Sequence, residues 1–289
     1  MPSEINLTPT AASFSIGAPD RPITGRSWGT ATQCRAAVLL VHGLGAHSGW
    51  FEAFGRRLKV RRMFAAAIDL TAHGKRKNQK LMSWRQWVDD IGEAARYIRG
   101  QTTGKPFFLM GNSLGAALAL AAVEAATPDG LVLFSPGLDG YPGTFTITYR
   151  VQAIAKAIFS PDSEINLPYT DDVVSREESV KAWIDKDPDR RNEMPARMAL
   201  ELLKLSRYVT GSLNTVSCPV LMMTAGVDRV VNNTVNDRYF ARLACPSKKR
   251  RHFDQAWHDL MFDPVIDELT DEVVSFMSEC APEKILAGS

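Results

Sequence analysis

Ser113, Asp228 and His258 stand in a chain order that suits nucleophilic attack on a carbonyl carbon. Ser113 centres the pentapeptide Gly111-Asn112-Ser113-Leu114-Gly115. Before it runs the apolar stretch Pro106-Phe107-Phe108-Leu109-Met110, of buried-strand type; after it runs Ala116 to Val123, rich in strong helix formers. Strand, Gly-x-Ser-x-Gly, helix is the setting of a nucleophile elbow, a turn so sharp that the serine Oγ stands above the sheet. Glycine at both flanks removes the Cβ atoms that would clash there. A helix-capping serine is the plainer alternative for the same pentapeptide.

Such a serine needs a base, and the base needs an acid to orient it. With an elbow of this kind the acid and then the base follow the serine. Of five histidines only His252 and His258 do so. His258 lies in a loop before a C-terminal helical stretch. His252 falls in Lys248-Lys249-Arg250-Arg251-His252-Phe253, which reads as a charged edge strand. Asp228 follows the buried-strand run Val220-Leu221-Met222-Met223, so it sits at a strand's C-terminal end, as Ser113 does. It also suits a helix cap; Asp139 and Asp254 are the fallback acids. A tetrahedral oxyanion requires two N–H donors. The elbow assigns one to Leu114, and the glycine-rich loop His42-Gly43-Leu44-Gly45 after the strand Val38–Val41 assigns the other to Leu44. His42 precedes the serine and reads as a brace for its own turn. A histidine base predicts activity rising through one apparent pKa of about 6 to 7.

The elements that must carry these groups alternate. A leading antiparallel hairpin is predicted over 12–16 and 25–28. Strands near 37–41, 65–69, 107–110, 131–134, 220–224 and 249–253 alternate with helices near 47–59, 84–99, 114–126, 233–243 and 260–280. That pattern predicts an α/β fold, a mostly parallel sheet with helices on both faces. Between Pro136 and about Leu213 no sheet strand is convincing, and prolines and glycines punctuate the segment. So long a loop is implausible inside a domain, so residues 136–213 read as a helical cap. The core then comprises 1–135 and 214–289. In the cap, Phe145, Ile147, Val151, Ile154 and Ile158 are predicted to line an acyl pocket, against the plainer reading of a core-facing helix.

Length and composition fit one large domain with an insertion. The chain has 289 residues, 45% hydrophobic and 23% charged. A net charge of +2 gives no electrostatic reason to bind nucleic acid. The basic runs read as solvated surface, with Lys75 to Lys80 the best candidate for attraction to an anionic membrane or substrate. The four cysteines form no C-x-x-C pair and no metal-ligand cluster. The first six residues lack the marks of a leader peptide, and no apolar run approaches the roughly 20 residues of a membrane helix. The expectation is a cytoplasmic protein with possible peripheral membrane contact and no metal or cofactor.

Taken together, the chain resembles serine α/β-hydrolases of the monoacylglycerol lipase and lysophospholipase-like branch. The resemblance is carried by His42 to Gly49, Asp69-Leu70-Thr71-Ala72-His73-Gly74, the elbow, Pro219 to Asp228 and Ala256-Trp257-His258, with Val173 to Arg176 and Asp187-Pro188 similar to that branch's cap. It implies ester hydrolysis through an acyl-enzyme. At three positions this chain departs from what the resemblance implies. Ala46 stands where an acidic residue is expected, Trp50 where an arginine is, and Met261 where a second histidine is. Those polar groups would hold glycerol hydroxyls, so the resemblance implies an alcohol other than glycerol here. Asn112 stands where histidine is common, with no meaning legible in sequence. Amide or thioester hydrolysis and acyl transfer keep the same residues. A ligand receptor with little turnover is the reading from another class.

Overall fold

The computed structural model describes residues 7–281. The leader-peptide expectation rests on Met1–Asn6, which lie outside them. The sheet opens with β1 (Ala12–Ile16) and β2 (Ile23–Trp28), which pair antiparallel. It continues through β3 (Ala36–Val41), β4 (Met63–Ile68), β5 (Phe107–Asn112) and β6 (Gly130–Phe134). Between these run α1 (Glu52–Val60), α2 (Arg85–Gln101), α3 (Leu114–Ala121) and the short α4 (Val123–Ala126). The helix expected over 114–126 is broken at Ala122.

After β6 the chain leaves the sheet. It forms α5 (Ile147–Phe159), β7 (Glu164–Asn166), α6 (Glu178–Asp185), β8 (Glu193–Pro195) and α7 (Arg197–Ser212). β7 and β8 make a small antiparallel ribbon apart from the main sheet, where the sequence reading had no strand. With three residues each they are too short to show a period. The chain returns through β9 (Val220–Ala225), α8 (Asn233–Arg242), β10 (Lys248–Phe253) and α9 (Ile266–Cys280).

The main sheet has the order β1-β2-β4-β3-β5-β6-β9-β10, parallel from β4 to β10. Alternate residues of each central strand enter opposite layers. Leu39 and Leu109 join the cluster with Trp87 and Ile91 of α2; Val38, Leu40 and Met110 join the one with Phe54 of α1 and Val273 of α9. Both faces of the strands are thus apolar, as helices on both sides require. After β3 the chain order reverses, β4 lying to one side and β5 to the other. The crevice at the C-terminal ends of such strands is where an open α/β sheet holds ligands. The loops after β3, β5, β6, β9 and β10 all open there.

Candidate active site

Ser113 adopts φ 54° and ψ −118°, backbone that a residue with a side chain adopts only at a cost of about 1–3 kcal/mol. The surroundings enforce it. Ser113 N–H donates to the Phe134 carbonyl at 2.9 Å, and its own carbonyl accepts from Gly137 N–H at 2.8 Å. A Cβ at Gly111 would lie 2.1 Å from the Gly115 carbonyl oxygen, and one at Gly115 2.0 Å from that of Val41. The glycines are therefore steric requirements of the turn.

His258 reaches the same place from the loop after β10. Its Nδ1 lies 2.8 Å from Asp228 Oδ2, and both side chains are buried. The other Asp228 oxygen accepts the Val230 and Val231 N–H groups at 2.8 and 2.9 Å. The capping and orienting readings of Asp228 thus hold together: the backbone fixes the carboxylate, and the carboxylate fixes the imidazole. A neutral ring donating from Nδ1 leaves Nε2 free to accept a proton. Burial opposes charge on His258, but the Asp228 carboxylate, by charge and by hydrogen bond, and Asp259 beside it outweigh burial. They hold the imidazole above its ordinary value, so a limb set by this base is expected higher than the sequence alone suggests. The fallback acids are occupied elsewhere: Asp139 pairs with Arg150 at 2.8 Å, and Asp254 lies beside His252.

Two unequal cavities meet at Ser113. The larger, about 230 Å³, runs under the inserted segment and is lined by Leu44, Leu114, Phe145, Tyr149, Ile154 and Leu202 among others. The smaller, about 20 Å³, brings Ser113 and His258 together with Ala46, Trp50, Asn112 and Asp259. Leu44 and Leu114 thus both border the space above Ser113. The inserted segment also holds the glycine loop by its carbonyls. Tyr169 Oη donates to the Leu44 carbonyl at 3.0 Å, and Arg191 N–H donates to that of Gly45 at 2.9 Å. His42 braces the same loop as read from sequence. Its Nδ1 is 2.8 Å from the Gly43 carbonyl and its Nε2 accepts from Leu70 N–H; burial holds its pKa down to about 4.

Four expectations for the substrate-facing set are corrected. Ile147, Val151 and Ile158 are 82%, 61% and 60% exposed and do not line the cavity. α5 turns Ala153 and Ala157 inward instead, because small residues let it lie close against α7. Of the predicted acyl set, Phe145 and Ile154 do line it. Met261 is buried in the core layer with Leu260 and Phe262, away from both cavities. Trp50 is not purely apolar: its Nε1 donates to Asp187 Oδ2 at 3.0 Å, and His47 Nε2 meets the same oxygen at 2.6 Å. The lysines after β4 are engaged by the insertion: Lys75 pairs with Asp189, Lys77 donates to the Pro188 carbonyl, and Lys80 pairs with Asp162.

Sequence reasoning missed Asp259, Tyr169 and Arg191. Asp259 had the one available signal, its place directly after the candidate base. All four thiols are free. Among the described residues, no helix is long and apolar enough to cross a membrane.

A strained serine at a strand end, a histidine–carboxylate pair beside it and a helix-covered parallel sheet define a serine hydrolase of the α/β-hydrolase fold, of the ester-hydrolysing kind. The family model described as "Serine aminopeptidase, S33" matches residues 32–265, and the chain belongs to that family. Among curated relatives, the monoglyceride lipase of Homo sapiens is 25% identical over 86% of this chain and 82% of its own length. The monoacylglycerol lipase of Mycolicibacterium smegmatis is 23% identical over 86% of this chain and 92% of its own. A solved structure of a soluble variant of monoglyceride lipase from Saccharomyces cerevisiae superposes with a TM-score of 0.85 at 14% identity, covering 96% of this chain and 97% of that one.

Proposed function

We propose that this hydrolase cleaves esters of an apolar acyl group with a small alcohol, through an acyl-enzyme on Ser113. The observation that carries the proposal is the inequality of the two cavities that meet at the serine, about 230 against about 20 Å³. The acyl chain takes the large apolar one. The small one has room for little more than a water-sized group, which suits an alcohol of one or two carbons. His258 takes the Ser113 proton as Oγ attacks the carbonyl, then returns it to the departing alkoxide. Asp228 holds the tautomer and stabilises the imidazolium, and the Leu44 and Leu114 N–H groups receive the oxyanion. Water then repeats the sequence on the acyl-enzyme. Residues 136–213 act as a cap that covers the ester and keeps other water out.

The named relatives act on monoglycerides, by their names. Ala46 and Trp50 border the small cavity at the two positions where an acid and an arginine are expected; the charged groups that do line it, Asp259, Arg190 and Arg191, come from other segments. The proposal therefore expects no advantage for a monoacylglycerol over the methyl or ethyl ester of the same acid. Comparing kcat/KM for the two tests it; a preference of about a hundredfold for the glycerol ester would contradict it.

The outward face of α5 supports a peripheral membrane contact. Ile147, Val151, Ile158 and Phe159 are all at least 60% exposed on one helix of the cap, where an ester drawn from a bilayer would enter. Four free thiols fit a reducing compartment, and a cytoplasmic location is part of the proposal.

A further inference from the structure

Asn112 and Asp259 adjoin the two candidate reacting side chains without being either of them. Asn112 immediately precedes Ser113, and Asp259 immediately follows His258. Their side chains meet in the interior: Asn112 Nδ2 donates to Asp259 Oδ1 at 2.6 Å, between residues 147 positions apart. They are 2% and 4% exposed. Both line the small cavity that Ser113 and His258 share.

The pair is a poor way to stabilise a fold. Asn112 Oδ1 is buried with no hydrogen-bond partner among the described residues, and a carboxyl group has been taken out of water to make one bond. Apolar side chains of similar shape would avoid both penalties. What the bond does achieve is geometric. The elbow ends β5 and the histidine loop follows β10, and β6 and β9 lie between those strands. Ser135 Oγ, just past β6, donates to the His258 carbonyl at 2.8 Å and ties the loop's backbone to the sheet. The Asn112–Asp259 bond ties the loop to the elbow itself.

We propose that Asn112 and Asp259 are positioning residues, a clamp that sets the separation of Ser113 Oγ from His258 Nε2. The proposal rests on reading those two groups as nucleophile and base. In the step concerned, the Oγ–H proton passes to Nε2 while Oγ bonds to the carbonyl carbon and the C=O π pair moves onto the carbonyl oxygen as the oxyanion. That transfer requires hydrogen-bond reach, and a displacement of about 1 Å costs about a hundredfold in rate. Loosening the clamp therefore lowers kcat and spares KM, because the acyl cavity is untouched. A purely structural role would instead appear in stability, with kcat per folded molecule preserved.

Steady-state kinetics on a soluble p-nitrophenyl ester, with active protein counted by phosphonate titration, test this in Asn112→Ala, Asp259→Ala, Asp259→Asn and the double alanine variant. Asn112→Ala and Asp259→Ala are each expected to lower kcat by about 30- to 100-fold with KM held within about threefold. The double variant should lose no more than the worse single, since one bond is cut in all three. Asp259→Asn keeps an oxygen that can accept from Asn112 and should recover most of the lost kcat. Full kcat in Asn112→Ala, multiplying losses in the double variant, or an Asp259→Asn as poor as Asp259→Ala would overturn the clamp. Should Asp259→Ala not fold, Asn112→Ala and Asp259→Asn decide the matter on the same criteria. Ser113→Ala separates the two layers. If it keeps turnover, the nucleophile assignment fails; if it is dead while Asn112→Ala has full kcat, only the clamp fails.

Discussion

Of the helices that border the large cavity, α3 and α5 are built on opposite plans. α3 (Leu114–Ala121) is buried at every position and consists of leucine, alanine and one glycine. α5 (Ile147–Phe159) buries only Ala153 and Ala157 and leaves large apolar side chains outside. α3 must lie close to the sheet, since Gly115 approaches Val41 too closely for any Cβ. Its N-terminus therefore presents Ser113 and the Leu114 N–H from a seat that cannot shift without breaking the core. α5 rests on the site from one side only, through Tyr149, Arg150, Ala153 and Ile154. On the proposed mechanism, rate and selectivity are therefore expected to rest on different parts of the chain. Changes around α3 should act on kcat, and changes on α5 should act on which substrate is taken and from where.

The largest effects belong to the α3 side. His258→Ala should abolish p-nitrophenyl ester hydrolysis. Asp228→Asn should lose about 10⁴ in kcat because it favours the wrong tautomer, while circular dichroism shows a normal fold. Asp228 also holds the Val230 and Val231 N–H groups, so an asparagine whose oxygen faces them keeps the turn. Turnover near wild type in either variant would dissolve the contrast between the helices.

On α5 the expected effects are smaller and differ by face. Ile154→Trp fills the cavity and should cut kcat/KM for long-chain esters by about 10- to 100-fold relative to short ones, at about 1–3 kcal/mol per excluded methylene. The outward triple variant Ile147→Ser, Val151→Ser, Phe159→Ser should leave soluble esters alone and bind anionic or zwitterionic vesicles several-fold more weakly in a sedimentation assay. Equal vesicle binding would remove the membrane face from the account. An unchanged chain-length profile in Ile154→Trp would mean that the acyl chain lies elsewhere.

The smallest effect is on pH. The base works only when neutral, and its carboxylate neighbours hold His258 above the ordinary histidine value. The rising limb of kcat/KM should therefore lie above pH 6.5, the usual midpoint, with activity flat into mild alkali. In residual Asp228→Asn activity that limb should fall to lower pH, since the main charge favouring the imidazolium has gone.

The same contrast explains what was legible in the sequence. Strand runs, the elbow and the order Ser113, Asp228, His258 are local or follow chain order, and steric demands write glycine at 111 and 115 where no other residue fits. The orientation of α5 was not legible. Its apolar spacing defines a face but not what covers it, and two alanines set the packing side against the larger residues. Tyr169 on Leu44, Arg191 on Gly45 and Asn112 on Asp259 are single bonds between distant segments. No periodicity encodes such pairs. Met261 was misplaced for a related reason: a matched position says which residue stands there, while packing of Leu260 and Phe262 decides which way the segment turns.

The central claim is that acyl transfer passes through Ser113. Intact-mass and peptide-mass measurement after brief mixing with an excess of a slowly turned-over ester tests it without reference to substrate preference. The account expects the mass of one acyl group, on the peptide holding Gly111-Asn112-Ser113-Leu114-Gly115, accumulating in His258→Ala no faster than in wild type and absent from Ser113→Ala. Steady ester hydrolysis by Ser113→Ala, or an acyl group on another residue that turns over at the catalytic rate, would contradict it.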